Sequence, residues 1–484
     1  MNTVRKPEKA LLPLVVDLDF TLLRTDSLWE QFIALLFRKP LAALAALAAL
    51  PAGRARFKAR VVDLGGVDPA ALPYRQELVD YLRRQKDGGR GVHLATAADR
   101  RVAEAVAAHM GLFDSVEASD GNHNLKGAGK AERLALRFPS GFVYAGDHAA
   151  DLKVWARASG VILAGVRPSL ERRARALGKP IEAQFARTPA GFKVWRKAMR
   201  LHQWAKNVLV FVPLLLAHRY RDLNADRLAL TAFIAMGLVA SATYLINDLA
   251  DLASDRRHAV KSKRPFASGV LPLSDGVAAI MVLLAGGFGL ASATSPPLVG
   301  GLGAYAILTL SYTFRLKRVA LLDVATLGLL YTTRIVIGAV VIGSPVSVWL
   351  LTFSMFFFFS ISLAKRYAEI FALSARAPSG LIAGRGYRAD DGPAVLALGV
   401  GAGTASVLIV VIYLTNEAFP SGVYHHPNWL WIAPFLLMLW VGRVWLLAGR
   451  GELDEDPVAF ALRDRYSWAL AAPLLLAFAR AVIR

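Results

Sequence analysis

Nine apolar stretches crowd the chain after about residue 205, and they constrain its fold more than any other feature. Their approximate limits are 207–218, 228–247, 275–294, 298–314, 321–342, 346–364, 394–414, 428–447 and 466–483, the first short and carrying Pro213. Inside a bilayer every backbone N–H and C=O needs an internal partner, so runs of this kind commit the chain to a transmembrane helical bundle. Basic residues gather in alternate loops: 256–264, Arg315 to Arg318, Lys365-Arg366, and Arg385 to Arg388. The positive-inside rule then predicts a multi-pass inner (cytoplasmic) membrane protein with these loops and the N-terminal half on the cytoplasmic side.

That N-terminal half is different in kind. The chain has 484 residues, 55% hydrophobic and 19% charged, enough for more than one domain, and its first part is a mixed, charged globular sequence. The absence of cysteine excludes disulfides, zinc–thiolate sites and a thiol nucleophile. A net charge of +21 would suit nucleic acid, but the Lys and Arg residues lie mainly between apolar spans and in the segment before the first. Anionic lipid and phosphate-bearing substrates explain that placement better, and no nucleic-acid partner is expected. The apolar run from Leu11 is interrupted by Asp17 and Asp19, so no signal peptide is expected.

At the end of the second apolar run stands Asn247-Asp248-Leu249-Ala250-Asp251-Leu252-Ala253-Ser254-Asp255. Acids beside a membrane span are costly and point to function. On a helix, Asp248, Asp251 and Asp255 are spaced three and four apart and share one face, with Asn247 four residues before Asp251. Clustered carboxylates repel one another unless a cation sits among them, and hard oxygen ligands suit Mg²⁺ shared with substrate phosphates. Lys261, Lys263 and Arg264 follow at once, so this is read as a magnesium–diphosphate site.

Three apolar stretches of the N-terminal half end in polar residues: Leu14-Val15-Val16 in Asp17-Leu18-Asp19-Phe20-Thr21, Val92 to Ala95 in Thr96, and Phe142 to Ala145 in Gly146-Asp147-His148-Ala149-Ala150-Asp151. Read as parallel strands, they bring these residues to the edge where open α/β sheets bind ligands. Lys126 and Lys130 lie between the second and third. Over residues 11–165 this arrangement resembles the haloacid dehalogenase superfamily of aspartate-nucleophile phosphatases. The resemblance implies a Rossmann-like α/β domain over 1–165 with a helical cap at about 22–90. It implies Asp17 as nucleophile and Asp19 as acid/base. Asp17, the Asp19 carbonyl, Asp147 and Asp151 would be Mg²⁺ ligands, and Thr96 with either Lys126 or Lys130 would be phosphate-binding. Phe20 stands where that family usually has glycine.

Within the cap, the Ala/Leu-rich run Leu41 to Leu50 is too short to span a membrane. It is either a buried cap helix or, with Arg38, Lys39, Arg54, Arg56, Lys58 and Arg60 around it, a surface that dips into the bilayer interface. Residues 166–198, rich in Arg and broken by Pro168, Pro180 and Pro189, are expected to form a basic interfacial linker.

Over about 199–484, the acid run with Lys263-Arg264-Pro265 and Ala267-Ser268-Gly269 resembles the UbiA superfamily of intramembrane prenyltransferases, a nine-helix bundle. The usual second aspartate motif is missing, and Lys365-Arg366-Tyr367-Ala368-Glu369 stands in its place. Leu201 to Asn207, Tyr312 to Arg318 with Asp323, and Arg334 resemble the polyprenyl-phosphate phosphoribosyltransferase branch, the decaprenylphosphoryl-5-phosphoribose synthase type of cell-wall arabinan synthesis. That resemblance implies phosphoribosyl pyrophosphate as donor and polyprenyl phosphate as acceptor. Asn247, Asp248, Asp251 and Asp255 would hold Mg²⁺ on the donor, and Lys261, Lys263 or Arg264 would steady departing pyrophosphate. Lys206, Asn207, Tyr312, Lys317 and Arg318 would bind phosphates, although Lys317 and Arg318 also fit the positive-inside pattern. Lys365, Arg366 and Glu369 would meet either the ribose 5-phosphate or the prenyl phosphate. Arg334, inside a span, pairs with a substrate or with Asp323.

Together the two resemblances imply consecutive steps, phosphoribosyl transfer and then removal of the ribose 5-phosphate, with one Mg²⁺ in each site. The alternatives are an aromatic prenyltransferase of quinone or haem type and an N-terminal half that serves only for docking.

Overall fold

The structure is a computed structural model and describes residues 11–66, 68–120, 125–374, 380, 385–453, 460–461 and 463–482. They divide into two compact units, one drawn from Met1–Met199 and Leu245–Ala279, the other from Arg200–Tyr244 and Ile280–Arg484.

The first unit is built on a parallel sheet of six strands, β1 (Leu14–Val16), β2 (Val92–Asp99), β3 (Ser115–Ser119), β4 (Val143–Gly146), β5 (Gly160–Ala164) and β6 (Ile181–Phe185), in the order β3-β2-β1-β4-β5-β6. β1, β4 and β5 are buried along their whole length, as strands covered on both faces must be. Alternation sends Leu14, Val16 and Leu94 into one apolar cluster and Val15, Tyr144 and Leu163 into another. The crossover helices are α4 (Gln76–Asp87), α5 (Arg100–Met110), α6 (Ala128–Arg137), α7 (Leu152–Arg157) and α8 (Pro168–Arg175).

Between β1 and α4 the chain leaves the sheet for a helical insert of α1 (Ser27–Arg38), α2 (Pro40–Leu47) and α3 (Arg54–Gly65). Its neck is closed by a bridge between Leu23 and Tyr74 and by Arg24 N donating to Pro73 O at 2.8 Å. The insert is therefore shorter than the expected 22–90, because α4 buries Leu78, Val79 and Leu82 in the sheet's own core.

The stretch expected to be a linker, 166–198, instead supplies α8 and β6, so the α/β fold continues past residue 165. Pro168 opens α8 at its first position, where a missing N–H costs nothing, and β6 is an edge strand, which tolerates the polar sequence.

The 245–279 segment departs from the single-helix expectation. The long helix Leu223–Ala250 stops before Asp251, whose φ/ψ of −91°/7° breaks it, and a short helix, Leu252–Arg257, restarts the chain.

Among the described residues seven helices are long and apolar enough to cross a membrane: Leu223–Ala250, Leu273–Ser292, Pro296–Phe314, Leu322–Val341, Val348–Ser374, Ala389–Ala418 and Pro427–Gly449. This is a multi-pass membrane protein, with seven such helices rather than the nine expected. The first expected span is a 3-10 turn, Leu201–Phe211, followed by only five α-helical residues, Val212–Leu216. The last is Arg465–Val482, which carries Pro473 internally and Arg465 and Arg480 near its ends.

Candidate active sites

In the α/β unit the loop after β1 is held in an unusual shape. Phe20 adopts a left-handed φ of +58°, a conformation that costs a side-chain-bearing residue about 1–3 kcal/mol unless its surroundings impose it. Arg75 does so: its guanidinium donates to Phe20 O at 2.9 Å, Thr21 O at 3.1 Å and Ala186 O at 3.3 Å. The loop so fixed presents Asp17 and Asp19 at the end of β1, beside the end of β4, where the strand order reverses.

Asp17, Asp147 and Asp151 each place a carboxylate oxygen within 4.8 Å of the others. Gly146 makes this possible, since a Cβ there would lie 2.7 Å from Asp151 Oδ2. Asp151 accepts from the backbone N–H groups of Asp147 (3.1 Å) and His148 (2.9 Å), and Thr21 donates to Asp147 at 3.2 Å. Lys130, buried on α6, sits 3.0 Å from Asp17 Oδ1 and donates to the Tyr144 hydroxyl at 2.9 Å; that hydroxyl donates to Asp151 at 3.2 Å.

Burial and the neighbouring Asp151 and Asp17 carboxylates push Asp147 well above the usual carboxylate range, and burial next to Asp17 raises Asp151. Three hard oxygen donors whose charges repel one another are a fitting donor set for a divalent cation. Lys126, the alternative to Lys130, is exposed ahead of α6. Thr96 is buried at the β2 end and accepts from Ala98 N at 3.0 Å.

Asp19, on the same loop, is held by the insert. Its Oδ1 accepts from Ser27 N at 2.8 Å at the start of α1, and it lines a cleft of about 280 Å³ walled by α1, α3 and the end of β2. Its carboxyl is surrounded closely enough that desolvation, then the Asp26 charge, raises its pKa to about 7. An acid with that pKa can give up a proton near neutrality.

The second acid cluster lies in the 245–279 segment. Asp248 and Asp255 are buried and meet on one guanidinium, Arg264 Nη1 standing 3.2 Å from Asp248 Oδ1 and 2.6 Å from Asp255 Oδ2. Asn247 and Asp251 are half-buried, Lys261 and Lys263 exposed. Arg256, which sequence reasoning passed over, is tied into the α/β insert by a two-pronged pair with Glu30 of α1 at 2.6 and 2.9 Å and donates to Ala71 O at 2.9 Å. Arg257 pairs with Asp68 at 2.9 Å. The clue in the sequence was Glu30 itself, the one acid in α1 and a buried one.

In the membrane unit the expected residues fall into two groups. Gly338 lets the Leu201–Phe211 turn lie against the helix Leu322–Val341, since a Cβ there would strike the Val210 carbonyl. That approach brings Asn207 Oδ1 within 3.0 Å of Arg334 Nε. Arg334 also donates to Tyr305 OH at 3.2 Å, and both it and Lys206 lie over the Tyr331 ring. Asp323, the structural partner expected for Arg334, belongs instead to the second group. There Arg366 Nε pairs with the fully buried Asp323 at 2.7 Å and Arg366 Nη1 with Glu369 at 2.5 Å. Tyr387 donates to Asp323 at 2.6 Å, and Arg385 donates to Tyr312 at 2.7 Å. Arg366 and Glu369 are thus engaged in an internal ion network. Lys317 and Lys365 are half-buried and Arg318 is exposed.

A family model described as the UbiA prenyltransferase family matches residues 208–470. The chain belongs to the UbiA prenyltransferase family. This UbiA-family chain is 42% identical over 472 residues to the uncharacterized protein y4nM of Sinorhizobium fredii, covering 97% of this chain and 91% of that one. It is 34% identical over 276 residues to the nodulation protein NoeC of Azorhizobium caulinodans, covering 56% of this chain and 88% of NoeC. It is 35% identical over 178 residues to the decaprenyl-phosphate phosphoribosyltransferase of Corynebacterium glutamicum, covering 36% of this chain and 54% of that enzyme.

Proposed function

We propose that the chain is a bifunctional enzyme. Its membrane half transfers 5-phosphoribosyl from phosphoribosyl pyrophosphate to a polyprenyl phosphate, and its α/β half, a haloacid dehalogenase-like domain, removes the ribose 5-phosphate. UbiA-family membership and the similarity to a decaprenyl-phosphate phosphoribosyltransferase support the first activity. The convergence of Asp17, Asp147 and Asp151 with Lys130 carries the second.

In the transfer step a phosphate oxygen of the acceptor forms a bond to the ribose anomeric carbon as the bond to pyrophosphate breaks. The acceptor is already an anion, so no general base is required. Arg264, with Lys261 and Lys263, offsets charge on the departing pyrophosphate, and Lys206, Asn207, Tyr312, Lys317, Arg318, Arg334 and Lys365 receive the remaining phosphates. Arg366 and Glu369 act by keeping Asp323 neutralised and the helices in register.

In the second step Asp17 attacks the 5-phosphate and the ester bond to the ribose oxygen breaks, with Asp19 giving that oxygen its proton. Asp19 then takes a proton from the water that hydrolyses the aspartyl phosphate. Thr96 and Lys130 bind phosphoryl oxygens. Asp17, Asp147 and Asp151, and separately Asp248, Asp251 and Asp255, would hold Mg²⁺, whose charge offsets theirs and that of the phosphates. The acceptor, the donor and both sites would lie at the cytoplasmic face of the inner membrane, among anionic lipids.

The test is mass spectrometry of lipid products from purified protein supplied with Mg²⁺, phosphoribosyl pyrophosphate and a polyprenyl phosphate. The expected product is polyprenyl-phosphoryl ribose, with Asp17→Asn stopping at the 5-phosphoribosyl lipid. Absence of any ribosylated lipid from folded protein overturns the reading in favour of an aromatic prenyltransferase.

A further inference from the structure

Helix α2 is packed inside out. Its small residues Ala43 and Ala46 face inward against Leu35, Phe57 and Val61, while Leu41 is 81% and Leu44 60% exposed. Leu47, Leu50 and, on α1, Leu36 continue the same exposed surface. A water-facing helix normally does the reverse, keeping its leucines in and its small or polar residues out. An outward leucine surface of this kind marks a place where something apolar is met.

Charge identifies what is met. From residue 31 to residue 62 the chain has six Lys or Arg and no Asp or Glu. Of these, Arg38, Lys39, Arg56 and Arg60 are exposed. An apolar surface bordered by exposed cations matches the acyl–headgroup boundary of an anionic leaflet, where leucines enter the hydrocarbon and cations meet phosphates. Among the described residues of the same chain seven helices are long and apolar enough to span a bilayer, so a membrane is always at hand.

We propose that α2 and the turn after it insert into the surface of an anionic membrane. α1 and α3, which α2 joins, also wall the cleft containing Asp19. Insertion therefore holds that cleft at the lipid surface, where a phosphoester carried on a lipid would be presented. This last consequence rests on the phosphatase reading; insertion itself does not.

The chain's lack of cysteine allows a direct test in the full-length protein. Leu44→Cys, labelled with an environment-sensitive fluorophore, is placed in nanodiscs of phosphatidylcholine and phosphatidylglycerol, with Glu132→Cys on α6 as the comparison site. The label at 44 should shift to the blue, be quenched at least twofold by lipids carrying a nitroxide near the headgroup, and lose most of that quenching in pure phosphatidylcholine. The label at 132 should do neither. A water-like spectrum at 44 in anionic nanodiscs overturns the proposal. So does a blue spectrum without lipid quenching, which would make the surface a protein contact. Leu41→Glu with Leu44→Glu should slow dephosphorylation of the lipid-linked phosphoester tenfold or more and leave hydrolysis of p-nitrophenyl phosphate unchanged. Equal rates on the lipid substrate would remove the functional consequence. A wild-type protein inert toward both phosphoesters would refute the phosphatase reading, while the label still decides insertion.

Discussion

Around Asp17 three carboxylates crowd within 4.8 Å and share a single ammonium, Lys130, whereas Asp248 and Asp255 close on one guanidinium, Arg264. The first arrangement keeps a surplus of negative charge, so Asp147 and Asp151 are raised and a further cation is favoured. In the second, one guanidinium nitrogen, Arg264 Nη1, bridges two acids seven residues apart across a helix break. One cluster is thus poised for an external ion, and the other already has a cation that can meet a diphosphate.

The sharpest way to separate the two clusters is Asp17→Asn. It removes the proposed nucleophile and should lower dephosphorylation by about a thousandfold or more while pyrophosphate release stays unchanged. Lys130→Ala should follow it and Lys126→Ala should not, as measured by phosphate release.

Arg264→Ala should lower pyrophosphate release by about a hundredfold, with Arg264→Lys recovering only part, and leave phosphatase turnover intact. An equal loss of both activities would mean that the clusters are not independent.

Next in size is Glu30→Gln. It strands the buried guanidinium of Arg256 and should destabilise the unit by about 3 kcal/mol, seen in thermal unfolding. Glu30→Arg with Arg256→Glu should recover part of this.

The smallest effect concerns pH. Because the Asp19 pKa is raised to about 7, its contribution to stability is full below about pH 4 and is lost as pH rises through about 7. In chelator at pH 8, Asp19→Asn should therefore unfold at a higher temperature than wild type, with a stability gain on the order of 4 kcal/mol at most, and no gain at pH 4. An unchanged difference between the two pH values would show that Asp19 is not desolvated.

Legibility from sequence followed the physics of each region. The central strands were visible because strands buried on both faces are continuous apolar runs, and Asp17, Thr96 and Asp147 mark their ends. β6 was not, because an edge strand needs no such run and Arg-rich α8 disguised its neighbourhood as a linker. Helical spacing predicted one face for Asp248, Asp251 and Asp255. It could not show the break at Asp251, which local backbone geometry decides, nor the meeting of the outer two on Arg264. Charges within apolar runs were taken as substrate ligands, yet Arg366 proved to neutralise Asp323, a partner 43 residues away that no local pattern reveals.

The pair between Glu30 and Arg256 joins residues 226 positions apart, one in the α/β insert and one in the loop beside the acid run. A gene split between the two halves would leave a bare charge on each product, in a place shaped to exclude water. Reassembly from separate genes would need both surfaces rebuilt together, so this pair acts as a ratchet that keeps the two halves on one inherited chain.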